Sequence, residues 1–141
     1  MKAIRMHAGF TLIEVLVSIV IVSFGLLGVA GLLSTGLRST QGSLQRTQAS
    51  LLAYDMADRM RMNRDAARNG HYKTSAPPTP ANAIAVSDKE AWGEAVASSL
   101  PSGTGTVTMP ATNFYSITVQ WDDSKVAGGS ATQSFVLRGE L

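Results

Sequence analysis

The apolar residues of this chain are concentrated near its N-terminus, where the 24 residues from Phe10 to Leu33 contain one charge, Glu14. A helix over that stretch would be roughly 36 Å long at about 1.5 Å per residue, enough to cross a bilayer core of about 30 Å. The stretch shows no polar face, which a core helix of a soluble protein usually has. We therefore predict a membrane-spanning helix.

The helical pattern continues beyond that segment, because no proline occurs between residues 10 and 68. Apolar residues recur there every seven or every four positions, and both spacings place side chains on one stripe of a helix. They are Leu37, Leu44 and Leu51, and Leu52, Met56 and Met60. Asn69-Gly70 offers a stop after Arg68. An unbroken helix would then run 59 residues, with its second half packed on an outer domain, although Gly36 and Gly42 argue against full continuity.

A loop and a short helix are expected next. Residues 74–82 contain three prolines and are typical of an extended loop. Ser87-Asp88-Lys89-Glu90 has the spacing of a capping box, in which the Ser87 hydroxyl and the Glu90 carboxylate bind opposing backbone amides. The predicted helix ends near Ser99. Its predicted inward residues are Trp92, Ala95 and Val96.

The C-terminal part has the alternation of a strand with one buried face, from Tyr115 to Trp121. Thr104–Met109 and Gln133–Arg138 are weaker strand candidates on either side, and Asp122-Asp123 and Gly128-Gly129 supply turn residues between the last two. The predicted fold class is α+β. A long N-terminal helix, membrane-spanning in its first half, packs on a small antiparallel meander of about three strands.

The net charge of +2 comes entirely from Lys2 and Arg5, which precede the apolar segment. Without residues 1–9 the chain has 10 basic and 10 acidic side chains, so its composition gives no reason to expect nucleic-acid binding. Two positive charges before a spanning helix, with the next at Arg38, place the N-terminus in the cytoplasm and the head in the periplasm.

Motifs for catalysis or for a cofactor are not found in the sequence. There is no cysteine, His71 would be the lone histidine after loss of residues 1–9, and no acidic run has the spacing of a calcium loop. Asp122 and Asp123 are better explained as turn residues than as cation ligands. We expect no enzyme and no cofactor.

Gly9 and Phe10 mark the point at which a basic leader meets the apolar helix. Cleavage after Gly9 would retain the helix and create a new ammonium at Phe10, four residues before Glu14. A carboxylate in a spanning helix costs about 2.5–3.5 kcal/mol at the helix centre and less near an end, so a partner is expected. The amine and Glu14 pair within one chain or between neighbours. Alternatively, Glu14 lies at the membrane interface and is solvated.

Residues 8–33 closely resemble the N-termini of type IV prepilins and of the pseudopilins of type II secretion. In this resemblance Gly9 is the residue before the cut, Phe10 is the N-methylated first residue, and Glu14 is the assembly glutamate. It implies cleavage by prepilin peptidase and a type IV pilin-like fold. Many major pilins carry a proline that kinks this helix. In its place this chain has three glycines, which soften the helix or permit close helix packing. They are Gly25, Gly28 and Gly31.

A second, charged segment spans residues 55–63. Three pairs in and beside it have helical spacing, each worth about 0.2–0.5 kcal/mol. They are Asp55–Arg59, Asp58–Arg61 and Arg61–Asp65. The segment is either an exposed helix face with its methionines in the core or a surface for docking another subunit. The docking residues would be Asp55, Asp58, Arg59 and Arg61. Together with Gly70-His71-Tyr72, it resembles the PilV family of minor pilins, the type IV pilus modification proteins.

The resemblance implies a chain of four parts: a leader at 1–9, an assembly helix at 10–33, its periplasmic continuation at 34–70 and a head at 71–141. The implied partners are prepilin peptidase, other minor pilins, the major pilin, a large tip adhesin and the inner membrane. Two alternatives remain. One is a minor pseudopilin of type II secretion, and the other is a signal-anchored or secreted binding protein, cut by a conventional signal peptidase near Val29-Ala30-Gly31.

Overall fold

The computed structural model describes residues 9–126 and 129–141. The predicted leader, apart from Gly9, and Gly128 of the predicted turn lie outside the described residues. Three α-helices, one 3₁₀ turn and three strands occur in the described chain. They are α1 (Leu12–Met62), α2 (Arg64–Arg68), the 3₁₀ turn (Pro80–Asn82), α3 (Ala83–Ser99), β1 (Thr104–Ala111), β2 (Phe114–Trp121) and β3 (Gln133–Glu140).

Helix α1 is continuous through Gly36 and Gly42, the two glycines that argued against continuity, but it does not reach Arg68. It ends at Met62, and Asn63 leaves the helical region with φ −117° and ψ 54°. Asparagine is a poor helix former because its side chain competes for local hydrogen bonds. The Asn63 amide instead donates to the Tyr72 hydroxyl at 3.3 Å.

The predicted stop after Arg68 is confirmed, as the end of α2. Gly70 has φ +77°, a left-handed conformation that suits glycine. Its N–H donates to the Ala67 carbonyl at 2.9 Å, and the His71 N–H donates to the Ala66 carbonyl at 3.0 Å. These two bonds form a Schellman motif, which satisfies the last carbonyls of the helix.

The chain divides into two compact units, with the boundary between Leu37 and Arg38. In the first unit every described residue is exposed. The second unit contains the hydrophobic core and all three strands.

The three strands form an antiparallel meander in the order β1-β2-β3, as predicted. The strict alternation in β2 is also confirmed, because four of its side chains are at most 2% exposed. These are Tyr115, Ile117, Val119 and Trp121. The β1–β2 register shifts by one residue between Thr108 and Ala111, around Pro110, which has no N–H for the ladder.

The free edge of β1 is partly covered by the loop that precedes the 3₁₀ turn. Thr74 donates its N–H to the Val107 carbonyl at 3.0 Å, and its Oγ1 accepts the Val107 N–H at 2.7 Å. Residue 74 therefore takes the place of a short fourth strand at this position.

Helix α3 ends at Ser99 as predicted but begins at Ala83, so the prediction of a capping box at Ser87 is wrong. Thr79 and Asn82 form a capping box at the 3₁₀ turn, eight residues before Ser87, with the Thr79 N–H donating to Asn82 Oδ1 at 2.7 Å. The residues between the two motifs are strong enough helix formers to extend the helix from that point. Trp92 and Val96 are buried, and Ala95 is half-buried.

The face of α1 that meets the core consists mainly of small residues. Met56 and Met60 are fully buried as predicted, and Leu52 packs against the core. The heptad leucines, however, are 72%, 56% and 64% exposed, so this apolar stripe does not face the core. They are Leu37, Leu44 and Leu51. The buried stripe instead runs through Gly42, Gln45, Ala49, Ala53 and Ala57. Small side chains let a helix approach a neighbouring layer closely, which a row of leucines would prevent.

Candidate functional site

The predicted cleavage point lies outside regular secondary structure. Gly9 and Phe10 precede the first turn of α1 and are both exposed, Phe10 by 82%. A Cβ built on Gly9 would meet nothing within 4 Å. The packing of the described chain therefore does not require glycine at this position, and the peptide bond after it is accessible.

Glu14 lies in the first turn of α1, where Thr11 caps the helix. The Glu14 N–H donates to the Thr11 carbonyl at 3.1 Å, and it lies 3.4 Å from the Thr11 hydroxyl oxygen. A carboxylate at this position is favoured by the partial positive charge of a helix N-terminus, an effect of about 0.3–1 kcal/mol. The local role of Thr11 was missed in the sequence, although Thr-x-x-Glu is itself the pattern of a capping box.

The apolar part of α1 is exposed along its described length. Sixteen large apolar side chains between Phe10 and Leu33 are each at least 47% exposed. Burying one such side chain is worth about 1.5–3 kcal/mol, so the whole set is worth tens of kcal/mol in an apolar environment. The segment has a mean hydropathy of 2.6, and α1 is the one helix of the described residues long and apolar enough to cross a membrane.

The charged segment of α1 connects this helix to α3 through Arg59. The Arg59 guanidinium pairs with Asp55 at 3.0 Å on its own helix, as predicted, and with Asp88 of α3 at 3.2 Å. The Tyr72 hydroxyl donates to the other oxygen of Asp88 at 2.5 Å. The carboxylate of Asp88 therefore links α3 both to α1 and to the segment after α2.

This network shifts the protonation of two of its members. Burial of the Tyr72 phenol, followed by its bond to Asp88, raises the pKa of Tyr72 to about 12. The hydrogen bond from Arg59 to Asp55 raises the pKa of Arg59, although burial opposes the shift. Both shifts favour the protonated forms that donate to the two carboxylates.

Arg61 connects α1 to the sheet. Its guanidinium pairs with Asp58 at 2.8 Å, as predicted, and donates to the Tyr115 hydroxyl of β2 at 3.2 Å. The predicted Arg61–Asp65 pair is not among the ion pairs of the described residues, because the break at Asn63 changes the helical phase between its members. All four predicted docking residues thus have a partner on their own helix, and the two arginines also have partners on other elements; Asp58 has the most exposed side chain, at 67%.

The sequence did not reveal three residues that take part in this network. They are Tyr72, Asp88 and Tyr115. Asp88 was interpreted as part of a helix cap, and its role depends on Arg59, 29 residues away in the sequence. A contact over that separation has no local pattern. Tyr72 was noted only within the Gly70-His71-Tyr72 resemblance.

A cleft of about 500 Å³ lies beside the Arg59 network. Met62 and Ile84 on its lining are 89% and 67% exposed. The cleft is therefore lined both by charged side chains and by exposed apolar side chains.

The two aspartates that follow β2, Asp122 and Asp123, lie in a turn. Asp122 accepts hydrogen bonds from the Ser124 hydroxyl and from the Ser124 N–H at 2.9 Å, and these bonds lower the pKa of Asp122. Among the residues that the structure describes, no three His, Asp or Glu side chains gather in a way that could hold a metal ion.

Comparison with known proteins gives one match. Residues 4–30 match the family described as the prokaryotic N-terminal methylation motif. Searches of curated proteins and of solved structures found no match. The motif spans Gly9, Phe10 and Glu14, together with most of the exposed apolar segment. It indicates a type IV pilin-like or pseudopilin protein.

Proposed function

We propose that this protein is a minor pilin of the PilV type, a subunit of a type IV pilus. It is inserted in the inner membrane with its head in the periplasm, cut by prepilin peptidase after Gly9 and N-methylated at Phe10. It then enters the filament through α1, together with the major pilin and other minor pilins. There it supports priming of assembly, twitching motility and display of a large tip adhesin.

The observation that carries this proposal is the exposure of the apolar half of α1 within a chain that matches the methylation motif. A bilayer or a bundle of similar helices would remove this surface from water, and a membrane protein that becomes a filament subunit uses both in turn. Cβ atoms built on four glycines of the segment meet nothing within 4 Å, so this space is available to another helix. They are Gly25, Gly28, Gly31 and Gly36.

Glu14 is the proposed assembly residue. After cleavage, the ammonium of Phe10 lies one turn from Glu14 on its own chain, and neighbouring chains in a bundle bring further ammonium groups close. In an apolar bundle an ion pair offsets the desolvation of both charges. Pairing of Glu14 with the N-terminus of a neighbour would therefore fix the depth at which a subunit docks.

The test of this role separates pairing from helix capping. Glu14→Ala and Glu14→Gln should insert in the membrane normally but show at least a tenfold loss of incorporation into sheared pili. Thr11→Ala removes the helix cap but keeps the carboxylate, and Glu94→Gln removes an exposed carboxylate of α3. Both controls should incorporate normally. Normal incorporation of Glu14→Ala, or an equal defect in Thr11→Ala, would contradict the pairing mechanism.

The charged segment is the proposed docking surface for another subunit. Asp55, Asp58, Arg59 and Arg61 lie within two turns of α1, and the cleft lined by Asp55 and Arg59 also has exposed apolar side chains on its lining. Asp58 is the residue best placed to meet a partner, because its carboxylate is the most exposed of the charged groups in these pairs. Asp55, Arg59 and Arg61 would act mainly by holding this surface in place.

A minor pseudopilin of type II secretion is the second candidate, because the methylation motif fits both machines. Deletion of the gene separates them. Loss of twitching and surface fibres supports the pilus, and loss of export of folded enzymes supports the secretion system. Mass spectrometry of the mature N-terminus tests both against a conventional secreted protein. A methylated Phe10 is expected, and an intact Met1 or a start near Leu32 would contradict prepilin processing.

A further inference from the structure

Three buried polar atoms of the described chain have no hydrogen-bond partner. They are Gln45 Oε1 of α1, Trp121 Nε1 at the end of β2, and Asp123 Oδ1 just beyond it. Their residues are 8%, 2% and 4% exposed. Buried polar groups almost always have partners, so each of these atoms needs an explanation.

The position of β2 along α1 follows from a contact at each end. Asp123 Oδ1 lies 3.7 Å from the site of a Cβ built on Gly42, and Arg61 donates to the Tyr115 hydroxyl at 3.2 Å. The strand therefore runs antiparallel to the helix. From Gly42 to Arg61 the helix rises about 29 Å, and from Tyr115 to Asp123 a strand rises about 26 Å, so the two spacings agree.

This alignment places the three residues at the same end of the contact between α1 and the sheet. Two residues of strand span about 7 Å, which equals four to five residues of helix, so Trp121 faces the turn of α1 that contains Gln45. A contact midway along the helix agrees with this alignment. Trp92 donates to the Leu52 carbonyl at 2.8 Å and lies against Gly105, the cross-strand neighbour of Val119.

The hydrogen-bonding character of the three atoms selects a ligand. A carboxylate oxygen and an amide oxygen accept, and the indole N–H donates. A metal cation would suit the two oxygens but not the N–H, and an anion would suit the N–H but not the carboxylate. A molecule that accepts one bond and donates two satisfies all three atoms, and water does this.

We infer that one internal water molecule joins α1 to the end of the sheet, accepting from Trp121 and donating to Gln45 and Asp123. An adjoining cavity of about 200 Å³ gives solvent a route to this place. Its lining includes Gly42, Arg46, Asp123 and Val126, and the Arg46 guanidinium on that lining makes a metal ion still less suitable. Internal water in proteins typically makes about three hydrogen bonds.

The two tryptophans of the chain provide a matched test. In the full chain, labelled with ¹⁵N and held in detergent micelles, the indole N–H of Trp121 should show magnetisation transfer from a long-lived water. The indole N–H of Trp92 should show none, because it donates to a backbone carbonyl. Absence of the water signal at Trp121 would overturn the inference. A calcium-dependent shift of the Trp121 resonance would overturn it in favour of a cation.

Variants then assign the two acceptors. Gln45→Met and Asp123→Ala should each reduce the water signal at Trp121 several-fold and leave the Trp92 resonance unchanged. Asp123→Asn keeps an acceptor oxygen in place and should retain the signal. A full signal in both Gln45→Met and Asp123→Ala would show that the water is bound elsewhere, which would overturn the inference. The unchanged Trp92 resonance reports that each variant is folded.

Discussion

Gly105→Ala should destabilise the head, because the methyl group enters the space that the Trp92 ring occupies. A Cβ built on Gly105 would lie 2.3 Å from two carbons of that ring. Carbon atoms in contact are normally about 3.5–4.0 Å apart, so the ring has to move by more than about 1 Å. Trp92 is 3% exposed, and its indole N–H donates a hydrogen bond to the Leu52 carbonyl at 2.8 Å. The ring therefore has little freedom to move.

The expected cost has two parts. Overpacking of a core typically costs about 1–3 kcal/mol. If the ring movement also breaks the bond to Leu52, the buried indole N–H loses its acceptor, at a further cost of about 1–3 kcal/mol. In a domain of this size each kcal/mol lowers the melting temperature by about 4–8 °C. A decrease of about 8 °C or more is therefore expected for the combined effect.

Thermal unfolding of the full chain in detergent micelles, followed by tryptophan fluorescence and circular dichroism, measures this decrease. Gly93→Ala is the matched control, because a Cβ built on Gly93 of α3 meets nothing within 4 Å. It should raise the free energy of unfolding by about 0.5–1 kcal/mol, since alanine favours a helix over glycine. Trp92→Phe combined with Gly105→Ala should cost less than the sum of the single changes. Equal stability of Gly105→Ala and Gly93→Ala would refute the contact between Gly105 and Trp92.

Two further predictions concern the core and its proton equilibria. Because the folded state holds the Tyr72 proton up to a pKa of about 12, against about 10 when unfolded, this stabilisation is complete below pH 10 and is lost as the pH rises to 12. Denaturant titrations at pH 10 and pH 12 should show that the free energy of unfolding falls by about 2–3 kcal/mol between the two, and this fall should be absent in Tyr72→Phe. The same decrease in both proteins would contradict the prediction. Met60→Ala should cost about 2–5 kcal/mol, because Met60 is fully buried, whereas Met62→Ala should change stability by less than about 0.5 kcal/mol, because Met62 is 89% exposed. Similar losses in the two methionine variants, in the same denaturant titration, would show that the core face of α1 is wrongly placed.

The sheet was predictable from the sequence because the relevant signal is local. Residues 115–121 alternate strictly, and a strand with one buried face imposes that period. The methionines of α1 were predictable for the same reason. The start of α3 was less so, because the helix follows directly on a 3₁₀ turn capped by Thr79 and Asn82 and does not begin at the more regular pattern at Ser87.

The face that α1 turns to the core could not be read from hydrophobicity. Leucine ranks far above alanine and glycine on any such scale, yet Leu44 and Leu51 are exposed while Ala49 and Ala53 are fully buried. Close approach of layers selects small side chains, and this depends on the distance between elements, which the sequence does not contain. The Asp88 contacts with Arg59 and Tyr72 have the same character, since they depend on how α1 and α3 are placed.

The pairing of Thr74 with Val107 has a consequence for self-association. An exposed sheet edge is a template for another strand, and a sheet with two free edges can add copies at both sides without limit. In the described residues β3 pairs only with β2, so its outer edge is free, whereas residue 74 obstructs that of β1. Addition of a strand from another molecule is therefore opposed at Val107 of β1, whereas the β3 edge meets no such obstacle in the described residues.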